Sequence, residues 1–106
     1  MTGTAMLVCE AFVDTDRAQR YVDQLAKHFV HQPGGILAQS RGDGQLLVDF
    51  GWGTCSMRAQ PRGLLLRAEA ADTEKLGWIQ RGVAGRLERI GRRDRLVVRW
   101  SAATTE

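Results

Sequence analysis

The sequence RYVDQLAKHFVHQ occupies Arg20–Gln32 and has the apolar spacing of a helix. Extended back by two residues, the stretch places apolar side chains at i, i+3 and i+4 positions: Ala18, Tyr21, Val22, Leu25, Ala26 and Phe29. Asp14 is the expected N-cap residue, and Pro33-Gly34-Gly35 is expected to end the helix. A helix with one apolar stripe buries that stripe against another layer, so the flanking segments should supply a sheet.

Alternating apolar and polar residues predict strands on both sides of this helix. The strands are expected at residues 5–13, 36–41, 46–50, 54–60 and 64–70. Tight turns rich in glycine and proline join the last four into an antiparallel meander. A second helix follows its N-cap Asp72, and a last strand is expected over Arg95–Ser101. The order β-α-β-β-β-β-α-β predicts an α+β two-layer sandwich, a mostly antiparallel sheet with both helices on one face.

Composition indicates one ordinary globular domain. With 106 residues, 43% hydrophobic and 25% charged, we expect a single domain over 1–106 with a flexible tail at 102–106. The formal net charge of +3 is too small to indicate nucleic acid by itself. Glu10 interrupts the N-terminal apolar run, which has no basic leader, so we expect neither a signal peptide nor a membrane span. The expected compartment is the cytoplasm, with Cys9 and Cys55 as free thiols.

The sheet face opposite the helices is more apolar than a solvated face usually is. Its predicted members are Val8, Phe12, Leu37, Leu47, Leu65 and Val97, together with Glu10, Asp49, Arg67 and Arg99. One interpretation is incidental surface apolarity, which is common. The other is a homodimer contact or a shallow ligand surface.

Three side chains are candidate metal ligands. His28 and His31 are neighbours on a helix surface, and Cys55 alternates in phase with the inward-facing Met57 and Ala59. If they converge, they could bind Zn, Fe or a haem iron. Alternatively, the histidines interact with the negative end of the helix and Cys55 is a small core residue. A Cys-His hydrolase would need a third member that does not stand out, so we assign no catalytic residue.

Arginines are concentrated near the C-terminus. Residues 81–99 contain Arg81, Arg86, Arg89, Arg92, Arg93, Arg95 and Arg99. Such a basic face could bind phosphates, nucleic acid or an anionic siderophore, or it could be a solvated face with local ion pairs. The stretch lacks interleaved aromatic residues for stacking, which disfavours nucleic acid.

The assembled pieces resemble a small bacterial family catalogued as domain of unknown function 2218. The family signature R-Y-L-x-x-L-C-K-H-W/F-x-H-K is matched by Arg20–Gln32, and its glycine-preceded strand with a cysteine by Gly53–Met57. Its final helix and strand are matched in part by Leu87–Arg93 and Trp100. The resemblance covers nearly the whole chain. It implies the fold and leaves the activity open.

Members of this family stand alone or occur fused to or near siderophore-interacting flavoproteins. The resemblance therefore implies an iron link and such a flavoprotein as a partner. The family's helix cysteine is Ala26 here and the histidine before its L-E-R motif is Arg86, so two ligands of any shared metal site would be missing. From the matched motifs and the arginine stretch, the candidate ligand-binding residues are Arg20, Tyr21, Lys27, Arg86 and Arg89.

Three functional hypotheses follow. The one we expect is a non-enzymatic accessory or ligand-binding domain linked to iron or siderophore metabolism, which rests mostly on the resemblance. The second is a small metal- or haem-dependent enzyme that uses His28, His31 and Cys55. The third is a nucleic-acid- or phosphate-binding module that uses the arginines of residues 81–99.

Overall fold

The predicted order of helices and strands is confirmed by a computed structural model that describes residues 6–30, 36–42 and 44–105. The strands are β1 (Leu7–Asp14), β2 (Leu37–Ser40), β3 (Gln45–Asp49), β4 (Gly53–Gln60), β5 (Gly63–Ala70) and β6 (Thr104–Thr105). The helices are α1 (Ala18–Val30), α2 (Thr73–Ile90) and a short 3-10 helix, Arg92–Asp94. The strands form one antiparallel sheet in the order β2-β3-β4-β5-β1-β6, so β1 lies between β5 and β6.

Both helices pack on one face of this sheet, as the apolar patterning predicts. α1 buries Ala18, Tyr21, Val22, Leu25 and Phe29, and α2 buries Leu76, Ile79, Val83 and Leu87. The strands contribute small or aliphatic residues to the same core, among them Cys9, Ala11, Val13, Val48, Cys55, Leu64 and Leu66. Residue 5, the first of the strand predicted over 5–13, lies outside the described residues. No helix in the described ranges is long and apolar enough to cross a membrane.

The two helices begin differently. Asp72 caps α2 as predicted, because its Oδ1 accepts a hydrogen bond of 2.8 Å from the backbone N–H of Lys75. The predicted cap of α1 at Asp14 is wrong. Asp14 is still paired with Gly63 in the β1–β5 ladder, and α1 begins only at Ala18. Three intervening residues turn the chain from the strand into the helix.

The last strand was predicted over Arg95–Ser101, and this placement is wrong. The 3-10 helix ends with Arg95 in the left-handed region (φ 56°), and the segment that follows forms no ladder. Val98 N–H instead donates to the Glu88 carboxylate at 2.9 Å. The strand that pairs with β1 is β6, where Thr104 lies opposite Val8.

The alternation that suggested this strand has a different origin. Leu96 is buried, and Val98 and Trp100 pack against the core. Ser101 is hydrogen-bonded to β1: its N–H donates to Glu10 O at 2.7 Å and its Oγ accepts from Glu10 N–H at 3.0 Å. The alternation of apolar residues in this segment therefore arises because one side of it is buried, and the segment is not paired with a strand.

Gly63 in β5 has no room for a side chain, because the β1 backbone and Phe12 lie close to its Cα. A Cβ on Gly63 would lie 2.4 Å from the carbonyl oxygen of Val13 and 2.6 Å from Cζ of Phe12. We therefore expect Gly63→Ala to lower the free energy of unfolding by about 2 kcal/mol, as overpacking of a fixed backbone does. The same change at Gly82 of α2 meets nothing within 4 Å and should stabilise the protein by about 1 kcal/mol. Urea denaturation of both variants tests this pair, and equal shifts of the same sign would contradict it.

Candidate functional site

A groove of about 450 Å³ lies between the first half of α1 and the end of α2. Five arginines line it: Arg17, Arg20, Arg89, Arg92 and Arg93. The remaining lining side chains are Tyr21, Gln24, Ile90 and Asp94. We call this site the arginine groove.

Two separate segments supply the arginines. Arg17 precedes α1 and Arg20 lies three residues later, so the two project from one side of the helix. Arg89 lies in the last turn of α2, and Arg92 and Arg93 belong to the 3-10 helix Arg92–Asp94, which follows after Gly91. The negative end of the α2 dipole favours positive side chains at this position.

The carboxylate of Asp94 binds two other side chains of the groove, Tyr21 and Arg17. The buried Tyr21 donates its hydroxyl hydrogen bond to Oδ2 of Asp94, and Arg17 Nη1 lies 3.5 Å from Oδ1 of the same residue. Burial raises the pKa of Tyr21, and the hydrogen bond to Asp94 raises it further. Tyr21 is therefore a neutral donor at neutral pH, and Asp94 already has two partners.

The other four arginines have no side-chain partner in the part of the chain that the structure describes. Arg20, Arg89, Arg92 and Arg93 are exposed, and none has a hydrogen bond or ion pair from its side chain within the described residues. With five arginines and one aspartate, the groove has an excess of four positive charges. The whole chain has a formal net charge of +3, so the rest of the chain is negative by one. The positive charge of this protein is concentrated at the arginine groove.

The structure brings together some of the predicted ligand-binding residues and separates others. Arg20, Tyr21 and Arg89 line the groove. Lys27 is exposed further along α1, and Arg86 lies near His28 instead. The sequence interpretation did not include Arg17, although its spacing from Arg20 on one helix face could have indicated it. It also assigned no ligand-binding role to Asp94, whose contact with Tyr21 spans 73 positions of the chain.

The candidate metal ligands are only partly described. His28 lies on α1 with its ring edge-on to Phe29, centroids 5.0 Å apart, and its pKa is lowered by burial and by the charge of Arg86. Cys55 is fully buried on β4, and burial, with a smaller contribution from Cys9, raises its pKa to about 12. His31 lies outside the described residues. Within those residues no three or more His, Cys, Asp or Glu side chains could hold a metal ion, and the three-ligand site stays a prediction.

A row of aromatic rings was not predicted. Phe29 of α1 meets Phe50 at 6.0 Å, Phe50 stacks on Trp52 at 5.3 Å, and Trp52 meets Trp78 of α2 at 5.8 Å between ring centroids. The row joins the end of α1 to the start of α2, whereas the arginine groove joins the start of α1 to the end of α2. The aromatic row and the arginine groove therefore lie at opposite ends of the helical layer.

The open sheet face carries a second cavity, of about 430 Å³. Leu47 and Leu65 contribute apolar surface to it, and Arg41, Arg58 and Arg67 surround them. Arg67 is ion-paired on this face, so the charge available there is smaller than in the arginine groove.

Comparison with known proteins places the chain in a family. Residues 10–101 match the family model described as an uncharacterized protein conserved in bacteria, DUF2218. No curated protein matches the chain. The fold is similar to the NMR structure of PA4090 from Pseudomonas aeruginosa, with 26% sequence identity and a TM-score of 0.69 over 92% of this chain and 95% of that chain. The resemblance noted at Arg20–Gln32 is thus confirmed, and the chain belongs to the bacterial DUF2218 family.

Proposed function

We propose that this chain is a non-catalytic binding domain that takes a polyanionic small molecule in the arginine groove. The observation that carries the proposal is the convergence of five arginines from two segments on one groove of about 450 Å³. Guanidinium groups bind phosphate and carboxylate oxygens through paired hydrogen bonds, and four of these five have no partner within the described residues.

The size and lining of the groove favour a small molecule. Its volume falls in the range of small-molecule sites, roughly 300–1,000 Å³. Single-stranded nucleic acid is commonly bound through exposed rings on which bases stack, and the exposed Trp52 and Trp78 lie at the other end of the helices. The lining contains no histidine, cysteine or serine, and Tyr21 and Asp94 already bind each other, which supports binding over catalysis.

The iron link implied by the family resemblance is a narrower form of this proposal. An anionic ferric chelate offers the same oxygen acceptors as free citrate or pyrophosphate. The proposal therefore requires only that the ligand carries several negative charges. Comparing the binding of citrate with that of ferric citrate tests separately whether the ligand also carries iron.

Isothermal titration with pyrophosphate, citrate and ferric citrate at about 50 mM salt tests the proposal. We expect at least one of the three to bind the wild-type protein. The double variant Arg20→Gln/Arg89→Gln should bind it roughly 100-fold more weakly, since each charge-assisted hydrogen bond contributes about 1.5 kcal/mol. The matched control Arg62→Gln/Arg81→Gln removes the same charge from exposed positions outside the groove and should bind within about threefold of wild type.

The outcomes separate the alternatives. Equal loss of affinity in both double variants would show that only net charge matters, and failure of all three probes to bind would also overturn the groove as the site. Tighter binding of ferric citrate than of citrate would support the iron link. Equal binding of the two would contradict that link while leaving the anion site intact.

A further inference from the structure

We propose that the open face of the sheet binds the same face of a second copy of this chain. This is the face turned away from α1 and α2. Three large hydrophobic side chains lie exposed on it or beside it: Phe12, Leu37 and Val97, which are 45%, 62% and 55% exposed. A sheet face covered only by water is normally more polar than this.

The strand register places negative charge at one end of the face. Asp49 lies opposite Thr54, and Thr54 lies opposite Glu69, so the two carboxylates share one row across β3, β4 and β5. Leu37 of β2 continues the same row opposite Asp49. We call Asp49 and Glu69 the acidic row.

Positive charge occupies the other end of the face. Arg58 lies opposite Gln45, and Arg41 follows β2 with its N–H bonded to Gln45 O at 2.9 Å. Arg41 and Arg58 form the basic row, four residues along each strand from the acidic row. Between the rows, Arg67 lies 3.6 Å from Glu10 and 3.1 Å from Glu69. Glu69 of the acidic row is therefore already paired within the protomer, and the unbalanced charge of that row lies at Asp49, whose Oδ1 accepts from Gly51 N–H.

Because the two rows are separated, the charges of the face can complement those of the same face on a second copy in one orientation. A two-fold axis that runs across the strands, through the level of Arg67, brings the acidic row of one protomer over the basic row of its partner. An axis parallel to the strands that passes along β4 would instead place Asp49 over Glu69, because these residues flank β4 on either side. Like charges in contact are destabilising, so the acidic and basic rows favour the axis across the strands over an axis along β4. Arg67 and Glu10 meet their own copies on the chosen axis, but they are already paired with each other within each protomer.

The area of the face is sufficient for a specific dimer. Six strands about 4.8 Å apart and up to about eight residues long cover roughly 600 Å² per protomer. Two such faces bury about 1,200 Å² in total, which is at the lower end of stable protein interfaces. Leu47 and Leu65 lie inside this area, where they would lose contact with water.

The first test is sedimentation equilibrium of the wild-type protein up to about 500 µM. We expect the dimer fraction to increase with protein concentration, as it does for interfaces of this size. Arg58→Glu and Asp49→Arg should each weaken dimerisation at least about tenfold, because each creates like-charge contacts under the proposed axis. The fourfold variant Arg41→Glu/Arg58→Glu/Asp49→Arg/Glu69→Arg exchanges the charges of the two rows and should restore the dimer to within about threefold of wild type. Arg62→Glu, in the turn between β4 and β5, is the control of equal charge and should have no effect.

Thermal melts followed by circular dichroism establish that each variant is folded before its association is compared. A wild-type protein that remains monomeric at the highest concentration overturns the proposal. So does a dimer of equal strength in all four variants, since the contact would then lie elsewhere. Stronger association of Asp49→Arg alone would also overturn it, because that result requires the axis parallel to the strands.

Discussion

Leu25→Ala is expected to lower the free energy of unfolding by roughly 3 kcal/mol. Leu25 lies in the middle of α1, is fully buried and belongs to the single core between the helices and the sheet. Removing its side chain loses the transfer free energy of its carbons and leaves a cavity that rigid neighbours fill only in part. Urea denaturation monitored by tryptophan fluorescence and by circular dichroism measures the change.

Val30→Ala provides the control on the same helix. Val30 is 57% exposed, so the substitution removes an aliphatic side chain without emptying the core. We expect a change within about 0.5 kcal/mol, since alanine also has the higher helix propensity. If the two variants lost similar stability, the burial of the α1 stripe would not be the source of the effect.

The second large effect is a loss of stability at alkaline pH caused by Cys55. Its pKa is about 12 in the folded protein and 9.0 for an ordinary thiol, because burial disfavours the thiolate. Above pH 9.0 the unfolded chain releases this proton while the folded chain keeps it, so unfolding becomes more favourable as the pH rises. The stabilisation is complete below the unfolded pKa and disappears as the pH approaches the folded pKa.

We therefore expect the wild-type protein to lose roughly 2 kcal/mol more than Cys55→Ala between about pH 8 and about pH 10.5, at about 1.4 kcal/mol per pH unit above the unfolded pKa. Comparing slopes with pH removes the constant cost of the substitution itself. Tyr21, whose pKa is also raised, contributes equally to both proteins. Parallel slopes for the two proteins would mean that the Cys55 thiol reaches water in the folded state.

Periodicity predicted the core of this fold because burial has a direct signature in the sequence. The α1 stripe from Ala18 to Phe29 and the alternation of β3 to β5 are both readable from which residues are apolar. The hydrogen-bonded pairing of one strand with another leaves no such pattern of apolar residues. Leu96, Val98 and Trp100 alternate like a strand because they cover the core, while Val98 N–H bonds to Glu88 and not to a neighbouring strand.

The arginine groove could be predicted only in part, for a related reason. Arg20, Tyr21 and Arg89 were identified from family motifs and from the local density of arginine. Their convergence depends on how α1 and α2 pack, which brings residues 17–24 against residues 89–94. Asp94 illustrates the limit, since nothing near it in the sequence indicates that it accepts a hydrogen bond from Tyr21.

The position of β1 between β5 and β6 has a consequence for how the chain is made. A ribosome synthesises β1 first, but the neighbours of β1 are Gly63–Ala70 and Thr104–Thr105. At about 5–20 residues per second, the first of these neighbours emerges roughly 2–10 s after β1 is complete. During that interval the inward apolar residues of β1 have no sheet to join. The meander from β2 to β5 can form first, so β1 joins an existing sheet beside β5, and β6 is made last.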